Sequence, residues 1–297
     1  MNESLNYFML NPVDNGNVVE LWSVQRLPYQ PQGWLLNMRN ELRTAVERIK
    51  DDSSSIILHA VYQTNQSGFF DAENVLIYNV GPPSFRKLCS NGLCIEFGKA
   101  KPSKLPRNIQ LEANHYHRYT VAAEKNLKPW FWNQCSTLAS WSKVPCPPLK
   151  GDLKPHLIWY EMKSNSIKVH TQTPPDYYGI EMLLKAPQGK NINLASVIKP
   201  LIDGVICSFH AHNGAKLAEV TSRLSAMFKG KYSNLDDLIM AKDSAVLGVR
   251  KLLSPYRQGV MWNPADDNCV YIKLLCDYIN DDQWSMEGRI IELTEKK

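Results

Sequence analysis

Residues Lys185–Gly204 read KAPQGKNINLASVIKPLIDG, and residues Trp262–Val270 read WNPADDNCV. In the first stretch a strand, Tyr178–Lys185, runs into a Pro/Gly turn at Ala186–Lys190. Such residues preset turn geometry and punctuate regular elements. A polar patch then opens an apolar helix over Leu194–Phe209, which carries one lysine, Lys199, and one aspartate, Asp203. The second stretch brings a paired acid, Asp266-Asp267, ahead of a further strand. Strands, a turn and a helix in this order point to an α+β fold.

Around this segment the composition is that of a folded protein. The chain has 297 residues, of which 44% are apolar, a length that favours two domains. The N-terminus MNESLNYFMLNPVDNG lacks the basic start and apolar block of a signal peptide, and no apolar run reaches the ~18 residues of a membrane span. A soluble, cytoplasmic protein with no membrane partner is expected. Seven cysteines, an odd number without a CxxC pair, read as reduced and partly buried thiols rather than zinc ligands. The net charge of +5 is compatible with nucleic acid without requiring it. KAKPSKLPR at Lys99–Arg107 is the densest basic run, and its prolines suggest an extended, solvated connection.

Along the chain, Asn17–Leu27 reads as a strand. Trp34, Met38, Leu42, Val46 and Ile49 recur at helical spacing within Gly33–Lys50, ended by Asp51–Ser55. Ser55–Gln63, Gly92–Phe97 and His115–Ala122 read as strands. Phe69–Gly81 is open between strand and helix, with Asp71 a good N-cap. Lys128–Pro155 shows little periodicity and reads as a boundary between halves at 1–150 and 151–297. In the second half, His156–Lys163 and Ser166–Thr171 suggest a hairpin. Leu217–Phe228, Leu235–Met240 and Ser244–Leu253 suggest a helical insertion at about 214–256. Gly259–Trp262 and Cys269–Asp277 suggest a strand pair, and Trp284–Leu293 a last strand.

The halves share a plan: strands, a Gly turn, then an Asx-rich segment leading into an apolar run. Asp71-Ala72-Glu73-Asn74 and Asn193-Leu194-Ala195-Ser196 fall at the same place in the two patterns, which reads as a weak internal duplication.

The second-half pattern resembles the RusA-type Holliday-junction resolvase family, whose motif has the form D-x-D-N-x-x-K-P-x-x-D followed by D-D-x-x-V. Lys199, Pro200 and Asp203 match, as do Asp266, Asp267 and Val270. Asn193, Ala195 and Ser196 do not, and the stretch from Asp203 to Asp266 is longer than the family's. In the first half Asp71, Glu73 and Asn74 match the opening acids, while Ile77 stands at the lysine position.

The resemblance implies two RusA-like α/β halves forming an internal pseudo-dimer, and a magnesium-dependent endonuclease of branched or single-stranded DNA. Magnesium takes oxygen ligands, and the candidates are Asp71 and Glu73 in one half or Asp266 and Asp267 in the other. Lys199 would stabilise charge on the phosphate, with Lys190 and Asn193 beside the nucleic acid. The family's sites are separate in its dimer, which speaks against a merged site here. The alternative is a binding module for DNA or a protein partner that has lost the chemistry, since Asn193 and Ala195 have replaced acids. Competing readings stay open for each residue: capping for Asp71 and Glu73, a polar turn for Asp266 and Asp267, a solvated helix residue for Lys199.

Two HxH pairs, His115/His117 and His210/His212, lack a third ligand and read as structural. Trp130, Phe131, Trp132 and Trp141 read as core more readily than as a base-stacking platform. No Walker loop, GxGxxG or GxSxG is present.

Overall fold

The computed structural model describes residues 5–12, 17–50, 56–68, 71–190 and 192–296. The helix end read at Asp51–Ser55 and the start of Phe69–Gly81 lie outside them. In chain order the elements are β1 (Tyr7–Leu10), β2 (Val19–Ser23), α1 (Trp34–Glu47), β3 (Ile56–Thr64), β4 (Gly92–Gly98), β5 (His115–Ala123) and β6 (Trp132–Pro145). There follow α2 (Pro155–Ser164), β7 (Ile167–Val169), β8 (Tyr177–Pro187), α3 (Leu194–Ser208), β9 (Ala211–His212), α4 (Leu217–Met227) and α5 (Leu235–Met240). The chain ends through β10 (Val249–Arg250), β11 (Leu253–Tyr256), β12 (Gly259–Trp262), β13 (Cys269–Ile279) and β14 (Ser285–Glu295). Short helical turns at Asn74–Tyr78 and Pro82–Phe85 join β3 to β4.

Ten strands form one mixed sheet in the order β1-β2-β5-β3-β4-β13-β8-β14-β6-β7. At its centre β4 and β13 pair antiparallel, with Ile95 opposite Ile272. Outward from that pair, each side meets first a parallel neighbour, β3 beside β4 and β8 beside β13. Every further pairing on either side is antiparallel. Parallel neighbours need a crossover. On one side it is the helical stretch after Asp71; on the other it is α3 with the insertion.

The sheet is buried on both faces at β3 and β4 and covered on one face on its second-half side. Along β8, Ile180, Met182, Leu184 and Ala186 are buried while Glu181, Leu183 and Lys185 are half-exposed, the alternation of a one-sided sheet. The open face carries ion pairs between neighbouring strands, Arg289 with Glu181 and Lys185 with Glu287. The covered face shares one core with Met38, Leu42 and Val46 of α1 and with Ile198, Leu201 and Val205 of α3. Helix α3 lies close on α2 because residue 204 is glycine. A Cβ there would stand 2.6 Å from Ile158 Cβ and 2.7 Å from the Pro155 carbonyl.

Several expectations are corrected. Lys128–Pro155 contains β6, a 14-residue strand that pairs with β14 and β7 although it precedes the expected boundary at 150. It shows no clean alternation because Asn133–Ser136 are exposed on both faces. His156–Lys163 is the helix α2, not a strand of a hairpin. Pro155 starts it, and His156, Ile158, Trp159 and Met162 form its buried stripe. Ser244–Leu253 is turns and short strands rather than helix. Strand β12 pairs with β11, whereas β13 is taken into the centre of the main sheet. The insertion builds a small core of its own, Val220, Leu224, Leu235, Ile239, Leu252 and Leu253, against Trp159 of α2 and Cys207 of α3. Among the described residues no helix is long and apolar enough to cross a membrane.

Candidate metal centre

Four acidic side chains from three distant segments converge on the Lys199 ammonium. Nζ donates to Asp71 Oδ2 at 2.6 Å, Asp266 Oδ2 at 2.9 Å and Glu73 Oε1 at 3.1 Å. Asp203 Oδ1 lies 2.9 Å away. An ammonium has three protons, and three acceptors use them. Asp203 is thus a fourth acid around the ammonium, one more than its three protons can serve at once.

Each acid is held by local structure. Asp71 opens the helical stretch: the Asn74 N–H reaches Oδ1 at 3.4 Å and the Asn74 amide donates to Oδ2. Asp71 thus caps a helix and faces the cluster at once; the two readings are compatible. Asn74–Tyr78 is one wide π-turn, with the Asn79 N–H bonded to the Asn74 carbonyl. Such turns recur at functional sites. Lys199 and Asp203 are four residues apart on α3 and so share a face. Asp266 starts a 3-10 turn before β13, and the Tyr178 hydroxyl anchors that turn by donating to the Ala265 carbonyl at 2.8 Å.

Pro200 sits inside α3 and cannot donate to the Ser196 carbonyl. The Tyr78 hydroxyl supplies that bond at 3.2 Å, tying the π-turn to α3 directly beside the cluster. Tyr78 and Tyr178 are positioning residues that the sequence did not disclose, because their partners are backbone carbonyls far away in the chain.

The electrostatics follow from four carboxylates around one cation. Burial and the neighbouring Glu73 push Asp71 up to about 8 despite Lys199. Burial pushes Asp203 up to about 7, again against Lys199, and it also raises Asp266. For Lys199 burial works downward, but Glu73, Asp203, Asp71 and Asp266 outweigh it and hold the ammonium charged. The cluster carries excess negative charge that only protons or further cations can balance. Ligand oxygens of Asp71, Glu73 and Asp266 all lie within 4.8 Å of one another, a spacing a hard divalent cation can bridge. Glu73 is almost fully buried, whereas Asp71 and Asp266 are about one-fifth exposed and give the centre its opening.

The candidate residues thus divide. Asp71, Glu73, Lys199, Asp203 and Asp266 meet in one place, so acids of the first half and the lysine and acids of the second merge into a single centre. The expectation of separate sites is corrected: the antiparallel β4–β13 pair brings the two crossovers together. Asp267 is half-buried and Lys190 is exposed on its turn, and neither bonds to the cluster. Asn193 is engaged elsewhere, donating to the Pro82 carbonyl and Ser196 Oγ and accepting from Cys89 Sγ.

The remaining constellations are structural. His115 Nδ1 meets the Tyr62 hydroxyl and His117 Nδ1 the Tyr119 hydroxyl, and burial lowers both rings to about 4 and about 3. His210 and His212 follow α3 and bond to the Gly248 and Ala215 carbonyls. Trp132 and Trp141 are core, while Trp130 is partly exposed beneath Arg118.

No family model, curated protein or solved structure matches the chain. The centre is therefore read from its own geometry.

Proposed function

We propose that the protein is a divalent-metal-dependent endonuclease of branched DNA, built on a RusA-like internal pseudo-dimer. The observation that carries this reading is the convergence of Asp71, Glu73, Asp203 and Asp266 on Lys199, four carboxylates around a single ammonium. The equal order of pairings on either side of β4–β13 supports the pseudo-dimer. The net charge of +5 is compatible with a polyanionic substrate.

Asp71, Glu73 and Asp266 would hold magnesium through carboxylate oxygens, with Asp203 behind them. When bound, the ion would polarise a phosphoryl oxygen and help deprotonate the attacking water. Lys199 holds the four acids together before the cation arrives. With their charge shared by a cation, the Lys199 ammonium would pair with the phosphate and stabilise charge developing there. Tyr78 and Tyr178 keep the three segments in register.

Calorimetric titration with Mg2+ and Mn2+, together with cleavage of a synthetic four-way junction, tests the proposal. Metal binding and cutting that are both lost in Asp266→Asn support it; a protein that binds neither ion overturns it. A second reading, binding without cutting, draws on Lys199 already filling the middle of the acids. It predicts DNA affinity that falls steeply with salt and is indifferent to Mg2+ and to Asp266→Asn.

A further inference from the structure

The stretches Asp71–Gly81 and Asn193–Asp203 are equal in length and occupy the same place, after the first parallel strand on each side of the central pair. Their buried positions coincide: Ala72 with Leu194, Val75 with Val197, Leu76 with Ile198, Val80 with Ile202. Both begin with a side-chain link to the fourth residue, Asp71 with Asn74 and Asn193 with Ser196. Cys89 stands three residues before β4 as Asp266 stands three before β13. Cys89 touches Asn193 at 3.3 Å, just as Asp266 joins Asp71 around Lys199.

This correspondence defines a second position, related to the metal centre by the two-fold of the antiparallel β4–β13 pair. Its members are Asn193, Ala195, Ile77, Gly81 and Cys89, where the centre has Asp71, Glu73, Lys199, Asp203 and Asp266. None is an acid. Ala195 and Ile77 are fully buried. The buried Cys89 thiol is raised to about 11 and stays neutral. At Gly81 a Cβ would lie 2.6 Å from an Arg43 guanidinium nitrogen, so a cation stands where the counterpart of the Asp203 side chain would be. The backbone there is held at φ +126°, which also favours glycine.

We infer that the molecule has one metal-binding, strand-cutting centre and one inert counterpart, and therefore nicks a single strand per binding event. The inference rests on the nuclease reading above. In each event a water oxygen forms a new bond to phosphorus and one P–O ester bond breaks. The departing sugar oxygen takes up a proton, leaving a hydroxyl and a phosphate monoester.

The test uses the full chain, Mn2+ as probe and a supercoiled circular DNA that extrudes a cruciform, with enzyme limiting. One class of bound Mn2+ is expected by electron paramagnetic resonance, lost in the Asp71→Asn/Asp266→Asn double variant. Open-circular DNA is expected to accumulate first, with linear DNA trailing. Linear DNA formed as fast as open circles overturns the single-strand inference while leaving the nuclease reading intact. So does a Mn2+ class that survives the double variant and disappears in Asn193→Leu. Absence of Mn2+ binding, or of any cutting, overturns the nuclease reading and this inference with it.

Discussion

Lys199 Nζ lies 2.6 Å from Asp71 Oδ2, across 128 residues of chain. This contact joins the two crossovers of the sheet and makes one centre out of two incomplete sets of residues. Lys199→Met would leave four buried or half-buried carboxylates without their counter-charge. Breaking a buried pair by removing one partner costs roughly 3–5 kcal/mol. Urea unfolding at neutral pH should show a loss of that order, much of it restored by millimolar Mg2+. A loss that Mg2+ does not reduce would count against the cluster as a cation site.

The pH dependence has a definite sign. Asp71 and Asp203 titrate at about 8 and about 7 in the folded protein and near the ordinary carboxylate value when unfolded. Between about pH 4 and 8 the folded chain thus binds more protons, so its stability falls as pH rises. Lys199 is shifted upward, and its contribution is constant across this window. Thermal melts of metal-free protein should decline from pH 5 to 8, with a slope up to about 1.4 kcal/mol per pH unit for each proton. Saturating Mg2+ should flatten the decline, and its binding at pH 7 should release protons.

The neighbours Asp266 and Asp267 should separate cleanly. Asp266→Asn removes a carboxylate that accepts from Lys199, and should weaken Mn2+ binding at least tenfold. Asp267→Asn touches nothing in the cluster and should leave affinity within about twofold and stability within about 0.5 kcal/mol. Calorimetry on both variants decides it.

Tyr78 and Pro200 should be energetically coupled. Tyr78→Phe removes the donor to the Ser196 carbonyl and should cost about 1 kcal/mol. Pro200→Ala supplies a backbone N–H for the same carbonyl, so Tyr78→Phe should cost less in that background. A double-mutant cycle by chemical denaturation measures the difference.

Much of the fold was legible because burial writes its period into sequence. Helical spacing marked α1, α3 and α4, and apolar runs marked β3, β8 and β14. A short apolar run misled: His156–Lys163 reads as a strand, whereas Pro155 at the helix start and packing against α3 over Gly204 make it a helix. Strand β6 was missed because its residues Asn133–Ser136 are exposed on both faces and carry no period of two. Pairing partners were not legible, since β12 and β13 are consecutive yet lie in different sheets.

By itself the sequence determined which side chains could do chemistry: acids at Asp71, Glu73 and Asp266, a lysine at 199, and neutral residues at Asn193 and Ala195. Only the tertiary structure decided that the first three surround the fourth, that Asp203 joins them as a fourth acid, and that Asp267 and Lys190 make no contact with the group. The reason is physical. Local propensity and periodicity act over a few residues, whereas the electrostatics of a buried cluster depend on distances set by the pairing of β4 with β13.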